Sequence, residues 1–179
     1  MKNPDIKVNP HPKMRYAITL SIEGAPGPFD AVNGSAGYEV TNGACVPLTP
    51  FSGATLTPNK NVPMSLSRVS DTAYKGDIYV DLLVDEDYYG QGLCRWAMRF
   101  VDFDLQIGNL AFAHSISLDD VLAGKSVTQY FNNLSYVSED AKSQKSDHPR
   151  VTSGNPNRAD FTDAKNTFSM TIAARENFQ

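Results

Sequence analysis

Residues Arg15–Glu23 alternate without a break. Tyr16, Ile18, Leu20 and Ile22 fall on one side, and Arg15, Ala17, Thr19, Ser21 and Glu23 on the other. A period of two is that of a strand with one buried face, since successive side chains of a pleated chain point opposite ways. Similar short runs recur along the chain. Each is cut by Gly, Pro or Asn-Gly before it grows long. That pattern fits an all-β chain far better than a helical one, because a helix would need apolar residues three and four apart.

After the first strand, Gly24-Ala-Pro-Gly-Pro28 must break the ladder, because proline removes a donor. Phe29–Val32 then reads as a short strand piece. Asn33-Gly34 reads as a tight turn, and Ala36–Thr41 as the returning strand, closed by Asn42-Gly43. Ala44–Lys60 carries Pro47, Pro50, Pro58 and Gly53, which suits a loop crossing between two sheets. Val62–Val69 alternates again, with Pro63 suggesting an edge position, and Ser70-Asp71-Thr72 marks a turn.

The densest apolar stretch is 78–104, which holds the only Trp. It reads as a hairpin. Ala73–Leu83 supplies Tyr74, Ile78, Val80 and Leu82 to the core, and Leu93–Asp104 supplies Cys94, Trp96, Met98 and Phe100. Between them lies an acidic, tyrosine-bearing turn, Asp85-Glu86-Asp87-Tyr88-Tyr89. Ile107-Gly108-Asn109 turns the chain into a strand at Leu110–Ile116. Ser117-Leu-Asp-Asp-Val-Leu-Ala-Gly124 is the best helix signal, with a Ser cap, acids at its positive end and a closing Gly. Val127–Phe131 and Asn166–Ala174 complete the strands. Residues 138–165 are polar and read as a long loop.

About seven or eight short strands and one short connecting helix predict an antiparallel β-sandwich, immunoglobulin-like or similar. The length suits a single domain over 14–179, preceded by a Pro- and Asn-rich extended tether at 1–13. Cys45 and Cys94 each sit beside a strand and can meet across the sandwich. Bonded, they would close a loop of about 50 residues, worth roughly 4 kcal/mol in the chain-entropy account. Their alternative is two buried thiols. A disulfide favours an oxidising compartment such as a periplasm. The opening residues lack the apolar core of a signal peptide, which fits either a cytoplasmic chain or a mature form whose export signal has been removed.

The formal net charge of −4 argues against a nucleic-acid partner. The sequence holds no Gly-x-Ser-x-Gly, no dinucleotide fingerprint, no His-Glu-x-x-His and no zinc spacing, so no cofactor or metal is expected. Gly124-Lys125-Ser126 lacks the earlier glycine of a phosphate loop, since position 119 is Asp119. His11 and His148 precede prolines in loops, and His114 lies in a strand, where a structural histidine is the default reading. A Ser/His/Asp site has no fixed order in sequence and stays open. The acidic turn is the pointed candidate. Its carboxylates lack the alternate spacing of a calcium loop. Its tyrosines offer rigid contact area and its acids steer basic partners, so Asp85, Glu86, Asp87, Tyr88 and Tyr89 are the expected protein contacts. A solvated turn is the plainer reading.

Asn9-Pro-His-Pro-Lys13, Ala25-Pro-Gly-Pro-Phe-Asp30, Gly37-Tyr-Glu-Val40, Cys45-Val-Pro47 and Asp85-Glu-Asp-Tyr-Tyr-Gly90 together carry a resemblance. Across roughly 7–135 the chain resembles small lipoprotein-like immunity proteins of type VI secretion phospholipase effectors. The resemblance implies a periplasmic, lipid-anchored protein that binds and blocks a toxic lipase, with no catalytic residues of its own. The sequence as given carries neither an apolar leader nor an acylated cysteine. The competing expectations are a periplasmic structural or carbohydrate-binding sandwich and a small hydrolase.

Overall fold

A computed structural model describes residues 4–178, so residues 1–3 of the expected tether lie outside the described part. The chain forms two five-stranded sheets packed as a sandwich. The first sheet is ordered β4-β5-β1-β10-β8. Here β1 is Arg15–Glu23, β4 Ser67–Ser70, β5 Ala73–Tyr79, β8 Ser126–Asn132 and β10 Thr167–Glu176. The second sheet is ordered β3-β2-β6-β7-β9. Here β2 is Ala31–Val40, β3 Asn59–Pro63, β6 Trp96–Ile107, β7 Leu110–Ser117 and β9 Arg150–Ser153. Every strand pair is antiparallel except β7 with β9.

The alternation of β1 is realised as read. Tyr16, Ile18, Leu20 and Ile22 are all buried, and β1 pairs with β5 on one side and β10 on the other. A strand with neighbours on both sides must present one face to the opposite sheet, so its apolar set faces inward. From the second sheet come Met98, Val101, Phe103, Leu105, Phe112 and Ile116. Phe112, Phe131 and Phe168 meet with ring centroids 5.0–5.4 Å apart, two contacts edge to face and one stacked. Truncating Phe112, fully buried at their centre, would cost about 3–5 kcal/mol.

Four sequence readings are corrected. Asn33-Gly34 is no turn, because β2 runs straight through it, opposite Asp104 and Phe103. Gly34 is there for space: a Cβ would lie 2.8 Å from Met64 Cε and 3.1 Å from Phe103. Residues 62–69 are not one strand. The chain leaves the second sheet at Pro63, buries Met64 and joins the first sheet at Ser67. The 78–104 hairpin does not form, since β5 and β6 belong to opposite sheets and residues 80–95 cross between them. Phe100 is not core. Gly37 pairs with Phe100 but Tyr38 with Met98, so Arg99 is an extra residue on β6 and the inward set switches from Met98 to Val101.

The helix signal is met by α1, Leu118–Leu122, with Ser117 Oγ accepting the Asp120 N–H. Two further helical turns follow, α2 (Asn133–Tyr136) and α3 (Glu139–Lys142). Gly108 closes the β6–β7 turn at φ +54°, and a Cβ there would strike the Ala141 carbonyl at 2.4 Å. Residues 138–165 are largely irregular but contain β9. Asn155 also bridges to Tyr130 of β8, joining the edges of the two sheets.

Candidate functional site

The sandwich has one end where several loops meet, and the disulfide stands in the middle of it. Cys45 and Cys94 are bonded, with Cα atoms 5.3 Å apart and a sequence separation of 49. Both are almost inaccessible. With Val40 and Val46 they make a second, small core, on which Tyr88, Tyr89 and Trp96 pack. The bond therefore ties the short 3-10 turn after β2 to the approach of β6.

Residues 85–89 form an internally bonded turn. Asp85 Oδ1 accepts the Trp96 N–H at 2.8 Å. Glu86 Oε1 accepts from Lys7 Nζ at 2.6 Å, and its carbonyl takes the Cys94 N–H at 2.9 Å. Asp87 Oδ1 accepts the N–H groups of Gly90 at 2.7 Å and Gln91 at 3.0 Å. Desolvation pushes the Asp87 carboxyl up, but four backbone donors, led by Gly92 and Gly90, outweigh it and hold its pKa below the usual 3.8. The Tyr88 hydroxyl donates to the Val84 carbonyl at 2.7 Å and accepts the Lys7 N–H at 3.2 Å. Burial, more than any neighbouring charge, raises its pKa.

Residues 4–13, read as a tether, lie along this turn. The Val84 N–H donates to the Lys7 carbonyl at 3.0 Å and the Asn9 N–H to the Leu82 carbonyl at 2.7 Å, with Val8 bridged to Leu83. Asp81 takes the Lys13 and Met14 N–H groups, each at 2.9 Å. Ile6 packs against the main core.

The third element is the loop 46–58. Leu48 bridges Thr55, the Thr49 N–H donates to the Ala54 carbonyl at 2.9 Å, and the Thr49 and Ser52 hydroxyls bond each other. These contacts form a small ordered tip. Its apolar side chains face outward: Phe51 is fully exposed, Leu48 is 62% exposed and Leu56 is 70% exposed. Between this loop, the N-terminal segment and the turn runs a groove of about 470 Å³, lined by Ile6, Val46, Pro47, Leu56, Pro58 and Tyr89 among others. Sequence reasoning passed over Leu48, Phe51 and Leu56. Their one signal was large apolar residues spaced among prolines, with no strand period to bury them.

His114 is buried in β7, with Nε2 3.0 Å from the Val127 carbonyl and Nδ1 without a partner among the described residues. Burial lowers its pKa below the usual 6.5 despite that carbonyl. Asp102, Ser115 and Ser153 share a small cleft with His114, but none of them is hydrogen-bonded to it among the described residues. Desolvation, then repulsion from Asp104, raises the Asp102 pKa. His11 and His148 are exposed. Among the described residues no group of three acidic, His or Cys side chains is placed to hold a metal, and no helix is long and apolar enough to cross a membrane. Comparison of the chain with protein-family models, curated proteins and solved structures gives no match.

Proposed function

We propose that this chain is an immunity protein that binds and inhibits an antibacterial type VI secretion phospholipase effector in the periplasm. One observation carries the reading. A buried disulfide with its own small core joins the chain just before the loop 46–58 to the end of the crossing segment 80–95, and Tyr88 and Tyr89 pack on it. Ordering a loop on binding costs affinity, so a loop already fixed binds more tightly for the same contacts. The disulfide also suits an oxidising compartment. The motif resemblance points to the same activity, with a possible lipid anchor on a longer precursor. Mixing the purified chain with purified type VI secretion phospholipase effectors tests the proposal. A stable complex on gel filtration and loss of phospholipid hydrolysis are expected. Two unassociated proteins and undiminished hydrolysis would defeat it.

A second reading rests on the outer face of the second sheet. There Phe100 lies against Gly37 beside Asn59, Asn61, Glu39 and Arg99, in a depression of about 440 Å³. One aromatic platform with amides and a carboxylate around it is the chemistry of a weak sugar site. Calorimetric titration with soluble cell-wall oligosaccharides checks it, and heats equal to dilution would remove it.

A further inference from the structure

One edge of the sandwich is closed by a strap, residues 150–155. Its first part, β9, pairs with β7 at four positions. Asn155 then exchanges both backbone hydrogen bonds with Tyr130 of β8, at 2.8 and 2.9 Å, so the strap joins the second sheet to the first. The fit is close: a Cβ on Gly154 would lie 2.9 Å from Gln129 Cβ and 2.9 Å from Phe131 Cζ. His114 makes another tie between the same sheets. A carbonyl only accepts, so Nε2 carries the ring proton and donates to the Val127 carbonyl of β8 at 3.0 Å. Nδ1 is then a bare lone pair, buried and without a partner among the described residues. That arrangement suits a neutral ring. An imidazolium would add an N–H at Nδ1, and a buried donor without an acceptor is costly. The surroundings do little to offset that cost. β6 sets Phe103 opposite His114, β8 brings Val127 and Gln129, and β10 sets Ile172 beside Val127, all of them uncharged. Asp102 lines the cleft without a bond to the ring, and Asp104 accepts from Asn33 at 3.1 Å. After β7, Asp119 is exposed and Asp120 pairs with Lys125 at 3.2 Å. On the strap, Arg150 pairs with Asp140 at 2.9 Å, and the exposed His148 lies two residues before it.

We propose that His114 is an acid-sensitive latch: when its ring is protonated, the strap 150–155 lifts from β8 and opens the cleft, so that water can serve Nδ1. The strap gives way rather than β8. β9 is four residues long and mostly exposed, whereas β8 pairs with β10 at seven positions. Segments with few buried contacts open at the lowest free energy. Opening separates Asn155 from Tyr130 and uncovers the edge of β7. Burial holds the folded ring below the ordinary 6.5, so the closed form is fully favoured above that value. It loses ground as pH falls through 6.5 toward the folded value. Mild acid is therefore the trigger, and return to neutral pH recloses the strap. The latch does not depend on the function proposed above.

The test is amide hydrogen exchange followed by NMR at about pH 7.5 and about pH 5, on either side of the histidine range, with each rate divided by its intrinsic value at that pH. The Tyr130 and Asn155 amides are expected to lose protection several-fold in acid, while that of Leu20, in the central strand of the first sheet, stays constant. His114→Gln keeps an N–H for the Val127 carbonyl and takes up no proton in this range, so its protection is expected to be the same at both pH values. Asp102→Asn and His148→Gln are expected to behave as wild type. Wild-type protection that does not change with pH overturns the inference. So does an acid loss that persists in His114→Gln, or one that disappears in Asp102→Asn or His148→Gln. If His114→Gln does not fold, the ring nitrogens of wild type decide. Their shifts should show a protonated Nε2 and a bare Nδ1 at neutral pH. Nδ1 should gain its proton over the same pH interval in which Tyr130 and Asn155 lose protection. A ring that carries its neutral-pH proton on Nδ1, or that takes up its second proton while both amides stay protected, overturns the latch.

Discussion

Two segments flank the disulfide, and they use their side chains in opposite ways. In 85–89 the polar atoms are spent on the protein itself. Asp85 holds the Trp96 amide, Asp87 holds a run of turn amides, Glu86 holds Lys7, and the Tyr88 hydroxyl is bonded on both sides. In 46–58 the backbone is ordered by its own short contacts, yet Leu48, Phe51 and Leu56 contribute little to any core. A region whose groups are internally satisfied explains its sequence by stability. A region that exposes large apolar groups on an ordered frame does not, because stability alone would favour polar residues there. The contrast makes the loop, beside the acidic turn, a second place to test for a partner contact.

The largest effect should come from removing what the two segments share. Cys45→Ala with Cys94→Ala opens a long closed loop, and the chain-entropy account gives a loss of about 4 kcal/mol. Urea unfolding of the variant against oxidised wild type measures it. Both segments should loosen together, seen as faster amide exchange at Gly90 and at Ala54. Loosening of only one would show that the disulfide does not couple them.

The contrast was only partly legible in the sequence. Alternation found β1 and β10 because Tyr16, Ile18, Leu20 and Ile22 of the one and Phe168, Met170 and Ile172 of the other all face inward. It failed where the ladder changes phase. The extra residue at Arg99 turned Phe100 outward, and no local signal marks such a bulge. Asn33-Gly34 carries a turn's composition, but its glycine serves the close approach of Met64 and Phe103, which is a tertiary fact. The strands of 78–104 look like a hairpin in sequence but join different sheets, because strand signals do not say which sheet a strand joins. The two cysteines could be paired from their positions beside strands. The exposed loop could not be read, since exposure of an apolar side chain depends on whether a sheet face happens to lie above it.

Next in size is a comparison of equivalent truncations. Tyr88→Ala removes a ring that packs on the disulfide and a hydroxyl bonded to two backbone groups. A loss of about 2 kcal/mol is expected, below that of a fully buried aromatic. Leu56→Ala, in the exposed loop, should fall within about 0.5 kcal/mol of wild type. Chemical denaturation of the two side by side gives the difference. Equal losses would erase the distinction between the segments.

Asp87 offers a pH test of the turn. Its folded pKa is depressed, so its ionised form favours the native state. That contribution is present above the unfolded value near 3.8 and is lost as pH falls through the lower, folded value. Asp87→Asn should therefore melt below wild type at neutral pH, with a smaller deficit than that of Tyr88→Ala. The two curves should converge in strong acid, once the wild-type carboxyl is protonated. A deficit that persists unchanged there would mean that the carboxylate's charge contributes nothing to the turn.

The smallest effect on stability belongs to Phe51, and it is the most informative. The ring is fully exposed at the tip of its loop, so Phe51→Ser should change the unfolding free energy by less than about 0.5 kcal/mol. A polar tip costs the folded state almost nothing, while an apolar one adds an aggregation hazard. If the melting curves of the two proteins overlay, packing gives no reason for phenylalanine at this position, and the reason must lie in what the loop touches. If the variant instead melts well below wild type, the ring contributes to a core after all, and the division between a spent turn and an unspent loop fails at its most exposed residue.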